Sequence, residues 1–254
     1  MSASQSSGPL PQTGPSLPGT ARDPAQTGPP LPPRGRREAI LEAAVEVISR
    51  NGVDAARLSD IAAQADVSLG LVQHYFGHRD RLLSEVFRHE VERTAAAVER
   101  YVDPASDPLL QLIDYLALTV PVKSDCVSER PRPHWGFWIE LWSKAHRDPA
   151  IAARAADIYL SFKEPTTAAI EAGVAAGLFT PSTAVSDIVD RLTALVDGLA
   201  IQTVIGSIGG ERMLWLLMEA TCMELGLDAQ LKQRAREYTR AAGRQLGLSS
   251  SSPA

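Results

Sequence analysis

The stretch "DVSLGLVQHYFGHRDRLL", residues 66–83, sets a turn directly before a short helical pattern and divides that pattern into two faces. Val72, Tyr75 and Phe76 recur at i, i+3 and i+4, the spacing of a helix face that anchors on a neighbour. Leu69, Gly70, Gln73 and His74 fall on another stripe. Ser68 stands where its hydroxyl can take up an amide donor left without a partner in the first helical turn. Gly77 breaks the pattern, and from Asp80 a longer helix follows, with Leu83, Val86, Phe87, Val91 and Val98 on its apolar side.

Upstream, Ile40, Ala44, Val47 and Ile48 make one helix face that stops at Asn51-Gly52. The segment "LSDIAAQA" then turns Ile61 and Ala65 inward. Three short helices, the last two joined by a tight turn, describe a helix-turn-helix. A plain helical hairpin with a solvated polar stripe has the same periodicity, so the residue types carry the functional reading. Gln73 can pair bidentately with adenine, and Leu69 can touch a thymine methyl. Gly70 lets backbone approach a duplex. His74 and Arg79 stand where phosphates would run. Residues 34–81 hold seven Arg and seven acids, so net charge does not discriminate. The charge is segregated, however: Glu38, Glu42 and Glu46 share one helix face, while Arg36, Arg37, Arg57, Arg79 and Arg81 lie at element ends, where they can make a positive rim.

The rest of the chain reads as further helices at about 107–120, 134–146, 149–176, 183–205, 210–226 and 228–246. No alternating strand pattern appears, so the expected fold is all-α. Residues 1–33 contain nine of the eighteen prolines and cannot bury enough apolar surface to offset their chain entropy. The expected organisation is a disordered tail at 1–33, a helix-turn-helix domain at 34–80, a larger helical domain at 81–248 and a short tail at 249–254.

A net charge of −5 over 254 residues argues against a non-specific nucleic-acid coat protein or a polybasic membrane binder, and leaves DNA binding by a local patch open. Mean hydropathy of −0.07, with no apolar run near ~18 residues, argues against a membrane span. No basic segment followed by an apolar one opens the chain. Cys126 and Cys222 are too few for a disulfide framework, and read as small buried hydrophobes in a reducing compartment. A cytoplasmic location is expected. The stretch "HEVER", residues 89–93, lacks the second His of a zinc-protease helix, and "GSIGG" has no Lys for a phosphate loop. Catalysis, a metal and a cofactor are therefore not expected.

"AILEAAVEVISRNGVDAARLSDIAAQADVSLGLVQHYFGHRDRLLSEV" resembles the DNA-binding domain of TetR-family transcriptional regulators along its whole length. The BetI-type branch resembles it most in Val67, Ser68, Gly70, His74, Tyr75, Phe76, Arg79, Leu82 and Leu83. The chain departs from the family pattern at Arg57, where a Thr usually opens the second helix, and at Asp66, where the turn usually has Gly. Asp tolerates the left-handed conformation better than most residues, so the turn should survive. The resemblance implies a DNA-binding regulator, most simply a repressor, that recognises a pseudo-palindromic operator. Its DNA-facing residues would be Arg36, Arg37, Arg57, Ser68, Leu69, Gly70, Gln73, His74, Tyr75 and Arg79.

It also implies a homodimer built on residues 183–205 and 210–226. Ile188, Leu192, Leu195, Leu199 and Val204 would supply one apolar face, and Leu214, Leu217, Met218, Thr221 and Leu225 the other, although a protomer core could use the same residues. In "HWGFWIELWSKAH", Trp135, Trp138 and Trp142 share one helix face. Such a stripe is either core packing or a pocket wall, with Tyr115, Tyr159, Phe162 and Glu140 as further candidates for the wall. Aromatic faces and a nearby carboxylate suit an apolar or cationic small-molecule effector.

Overall fold

The computed structural model describes residues 35–121, 135–245 and 248, so both expected tails and Cys126 lie outside the described residues. Within them the chain is all-α, with ten helices and no strand. These are α1 Arg36–Asn51, α2 Leu58–Gln64, α3 Leu69–Phe76, α4 Arg79–Tyr101, α5 Pro108–Thr119, α6 Trp135–Ala145, α7 Pro149–Ala175, α8 Val185–Val204, α9 Gly210–Glu224 and α10 Ala229–Gln245.

Local chemistry fixes the ends of these helices. Gly52 ends α1 at φ 83° and donates its N–H to Ile48 O at 2.9 Å. The turn into α3 puts Asp66 at φ 52°, the only non-glycine with positive φ among the described residues. That is the left-handed state a short polar side chain tolerates. Ser68 caps α3 by accepting the Leu71 N–H at 3.2 Å. Asp107 and Asp148 cap α5 and α7, each followed by a proline whose missing N–H costs nothing in the first turn.

One hydrophobic core runs from α1 through α3 and α4 to α6, joining Ile40, Ile48, Val72, Phe76, Leu82, Phe87 and Phe137. The Phe87 and Phe137 rings, on α4 and α6, lie 5.2 Å apart. A second core joins α5, α7, α8, α9 and α10 through Ile113, Ile170, Ile188, Met218, Leu225 and Ala235. Cys222 is buried there beside Met218. The N-terminal half of α4 rests on α1, where Glu85 pairs with Arg37 at 2.5 Å.

These cores correct the expectation for the apolar faces of α8 and α9. Ile188, Leu192, Leu199, Leu214, Leu217, Met218, Thr221 and Leu225 are all buried within one protomer, and Leu195 is half-buried against the first core. The period-3.6 pattern identified inward faces, which is what a helix packed on its own chain displays. Val204 alone of the ten is exposed, together with its neighbours Ile201 and Ile205 and, at the far end of α9, Met223.

Candidate functional site

Helix α3 buries Val72 and Phe76 and turns Leu69, Gly70, Gln73 and His74 to solvent. Leu69, 41 % exposed, is unusual as a large apolar side chain left on a surface of exposed polar and small residues. Tyr75 is half-buried, with its ring 5.7 Å from that of His74. A short helix held by two anchors, with a donor–acceptor amide, an imidazole and an apolar tip outward, presents groups able to meet base edges. Ser68, also exposed, accepts through its hydroxyl oxygen in the cap, which leaves its O–H able to donate outward.

The expected arginine rim divides in two. Arg36 and Arg57 are exposed at the starts of α1 and α2. Arg37 is drawn back by Glu85 and lies over the Phe76 ring at 5.6 Å from its centroid. Arg79 is the correction: its guanidinium turns inward and donates to the Val53 carbonyl and to the Ala56 carbonyl, the latter at 3.3 Å. It secures the α1–α2 turn to the start of α4 rather than standing toward a phosphate. Two backbone acceptors close together match the forked geometry of the guanidinium donors.

Between α4, α5, α6, α7 and α8 lies a cavity of about 120 Å³. Its walls bring together Tyr115, Trp135, Trp138, Trp142, Tyr159 and Phe162. Trp138 and Phe162 meet edge to face at 5.6 Å, and Trp135 and Trp142 are 6.0 Å apart. Trp135 is fixed by its indole N–H, which donates to Thr119 O at 2.9 Å. The Tyr115 hydroxyl donates to the Phe162 carbonyl, and burial pushes that phenol up to about 12. An engineered cavity of about 150 Å³ takes up benzene, so this chamber is of a size for a small organic molecule. A second hollow adjoins it between α4 and α7, past Thr94, Val98, Tyr115 and Phe162.

Glu140 does not belong to this chamber. It lies on the opposite face of α6, where its carboxylate accepts the Val53 N–H at 3.1 Å. The carboxylate in the chamber wall is Asp197 of α8, which accepts the Tyr159 hydroxyl at 2.6 Å. Burial raises the Asp197 carboxyl above the usual range, against the opposing pull of that hydrogen bond and of Lys163. Tyr159 is raised as well, by burial first and by the adjacent carboxylate second. Asp197 was missed in the sequence, although a signal existed: it is the single acid between Leu192 and Val204.

Residues 40–86 match the family model for bacterial regulatory proteins of the tetR family, and residues 125–226 match that for the C-terminal part of BetI-type transcriptional repressors. The HTH-type transcriptional regulators BetI of Paraburkholderia phymatum and Burkholderia thailandensis are each 29 % identical over 117 residues, 46 % of this chain and 57 % of theirs. The chain thus spans little more than half the length of these curated relatives. A TetR-family transcriptional regulator of Rhodococcus superposes with a TM-score of 0.65 at 24 % identity, over 75 % of this chain and 98 % of that one. A transcriptional regulator of Saccharomonospora viridis, solved in complex with choline, gives 0.63 at 25 % identity, over 72 % and 93 % of the two chains.

Proposed function

Because the chain belongs to the TetR family of bacterial regulatory proteins, we propose that it is a transcriptional repressor whose homodimer binds a pseudo-palindromic operator and leaves it when a small cationic effector fills the aromatic chamber. The observation that carries the effector reading is the chamber itself: six aromatic side chains and the Asp197 carboxylate around a cavity of about 120 Å³, with Arg93 at its α4 side held by the two Glu90 carboxylate oxygens at 2.9 and 2.8 Å. Ring faces attract a cation, most strongly where water is excluded, and a half-buried acid offsets its charge. A quaternary ammonium compound fits this chemistry, and the choline held by the Saccharomonospora protein supports that class. A ligand that displaces DNA must bind the DNA-incompetent state better, since equal affinity for both states shifts nothing.

Operator reading falls to α3. Leu69, Gly70, Gln73 and His74 are assigned to the bases, with Ser68, Tyr75, Arg36, Arg37 and Arg57 toward the backbone. Two α3 helices related by a dimer axis would enter successive major grooves about 34–36 Å apart, or a multiple of that. The helical unit around α1–α3 is thus the DNA-binding part, and α5–α10 the sensing and dimerising part. Among the described residues no helix is long and apolar enough to cross a membrane.

Selection of bound duplexes from a random pool, followed by footprinting, tests the function class and yields the operator. A footprint confined to one half-site at saturating protein would contradict the dimeric reading. With the operator in hand, Gln73→Ala should change base preference, losing on the order of 1–3 kcal/mol on the selected site and little on random DNA. Arg57→Ala should weaken binding to every duplex and reduce the log–log salt slope by about one. Equal losses on selected and random DNA for Gln73→Ala would remove Gln73 from readout. Titration of tryptophan emission with choline and tetramethylammonium, read beside release of the operator complex, tests the effector. Quenching without release, or neither, refutes it.

A further inference from the structure

Helix α6 carries two stripes that face opposite ways. Trp135, Trp138 and Trp142 stand in the wall of the aromatic chamber. Gly136, Glu140 and Lys144, at i, i+4 and i+8, face α1 and the turn that follows it. Each of the three makes a different kind of contact. A Cβ at Gly136 would come within 3.1 Å of the Ser49 Cβ and carbonyl oxygen, so a side chain there would press the two helices apart by a few tenths of an ångström. The Glu140 carboxylate accepts the Val53 N–H at 3.1 Å, and a Cβ at Gly52 would come within 3.2 Å of its Oε2. Lys144 pairs with Asp54.

The peptide groups of Val53 are therefore gripped from two sides. Its N–H is held by Glu140 of α6, and its C=O by Arg79 at the first position of α4. Val53 itself is 2 % exposed, so neither polar group has ready access to water in exchange for its partner. A buried amide that loses its acceptor keeps the full desolvation penalty, so losing this contact is disfavoured. Both gripping helices also line the chamber: α4 through Thr94, Ala97 and Val98, and α6 through its tryptophans.

We infer that Glu140 is a positioning residue for DNA binding: its clasp on the Val53 amide fixes the α1–α2 turn to α6, and movement of α6 when the chamber fills is transmitted to the recognition helix through that clasp. The turn leads directly into α2 and the tight bend before α3, so a displacement at Val53 reorients α3 against its dimer mate. Gly136 sets the separation of α6 from α1, and Lys144–Asp54, exposed on the Asp54 side, adds little by itself. The coupling presupposes the effector chamber proposed above, whereas the clasp can be examined without any effector, because linkage between two binding sites is reciprocal.

The experiment uses the full chain, the operator selected from the random pool, and the variants Glu140→Ala and Glu140→Gln. Hydrogen exchange first verifies that each variant keeps the wild-type protection of α5–α10. Without effector, operator binding should alter tryptophan emission in the wild type and in Glu140→Gln, which retains an acceptor oxygen, and leave Glu140→Ala nearly unchanged. In Glu140→Ala the Val53 amide should exchange at least tenfold faster. With tetramethylammonium, affinity for Glu140→Ala should stay within about twofold of wild type, while the operator-release factor, expected in the wild type within the roughly 5–150-fold range of such couplings, falls to below threefold. Equal emission changes on operator in wild type and Glu140→Ala, with equal Val53 exchange, overturn the clasp whatever the effector does. Full release by tetramethylammonium in Glu140→Ala overturns its part in transmission. A wild type that binds operator with the emission change but ignores the cation removes the effector reading and leaves the clasp standing.

Discussion

Leu217→Glu is expected to unfold the protomer, whereas Gly198→Leu is expected to leave it folded and abolish the dimer. Leu217, on α9, is 0 % exposed and lies in the first core of its own protomer. Removing a buried leucine costs about 2–5 kcal/mol, and a carboxylate in its place has no partner to offset its desolvation. Against a total stability of roughly 5–15 kcal/mol, that loss should exhaust most of the margin. Gly198 is the opposite case. It is exposed in the interior of α8, and a Cβ there would meet nothing within 4 Å. A glycine inside a helix costs about 0.5–1 kcal/mol relative to alanine, and nothing within the protomer repays it.

A second copy seated on α8, as the proposed homodimer requires, would account for it. The outward stripe of α8 runs through Ala194, Gly198 and Ile201 to the capping Ile205, 72 % exposed, and the neighbouring α9 carries Met223, 71 % exposed, in its last turn. Small residues between large apolar ones let two helices come close, and a leucine at Gly198 would hold them apart. Light scattering at micromolar concentration, with circular dichroism and thermal melting, separates the outcomes. Gly198→Leu should be a folded monomer that melts no earlier than the isolated wild-type protomer. A folded dimer for Gly198→Leu would move the interface elsewhere, and a folded, soluble Leu217→Glu would contradict the core assignment.

The all-α fold and the helix boundaries are legible in the sequence because periodicity, caps and stops act locally. Asp66 is an instance: the residue type alone admits the left-handed turn that the structure adopts. What is not legible is which way a side chain turns once several partners compete for it. Arg79 reads as a surface cation at a helix start, and only the folded turn supplies the two carbonyls that draw it inward. The apolar faces of α8 and α9 are read correctly as apolar but not as inward, since the same stripe serves a protomer core or a dimer seam. Glu140 differs, because spacing already excludes it from the tryptophan stripe: residues two apart on a helix do not share a face. Grouping it with Trp138 and Trp142 follows proximity along the chain, which is not proximity across a helix.

Asp197→Asn is expected to lower the affinity for quaternary ammonium ions on the order of a hundredfold or more, since opposite charges about 4 Å apart interact by about 4 kcal/mol at the effective dielectric of a protein near its surface. The exchange keeps the shape of the side chain and an oxygen to accept the Tyr159 hydroxyl, so the aromatic walls should stand. The neutral carbon isostere of choline, dimethylbutanol, serves as the control: its binding should be nearly the same in both proteins. The pH dependence follows from the direction of the Asp197 shift. Burial raises this carboxyl above its ordinary value, so the empty chamber favours the protonated, uncharged form over a wider range of pH than a surface aspartate would. A cation binds the ionised form, and as pH falls through the raised pKa its affinity should drop by about tenfold per unit, beginning at a higher pH than an unperturbed carboxylate would allow. The stability term has the opposite sense. A raised carboxyl stabilises the fold at low pH, and that contribution is lost as pH rises through the folded value; Asp197→Asn, always neutral, should therefore melt at or above the wild type at neutral pH in the absence of ligand. The pairing of weaker cation binding with undiminished stability is what distinguishes a carboxylate held for a ligand from one held for the fold. If Asp197→Asn lowers both together, or if cation affinity shows no fall between neutral and acid pH in the wild type, Asp197 is a structural partner of Tyr159 and not the counter-charge of the chamber.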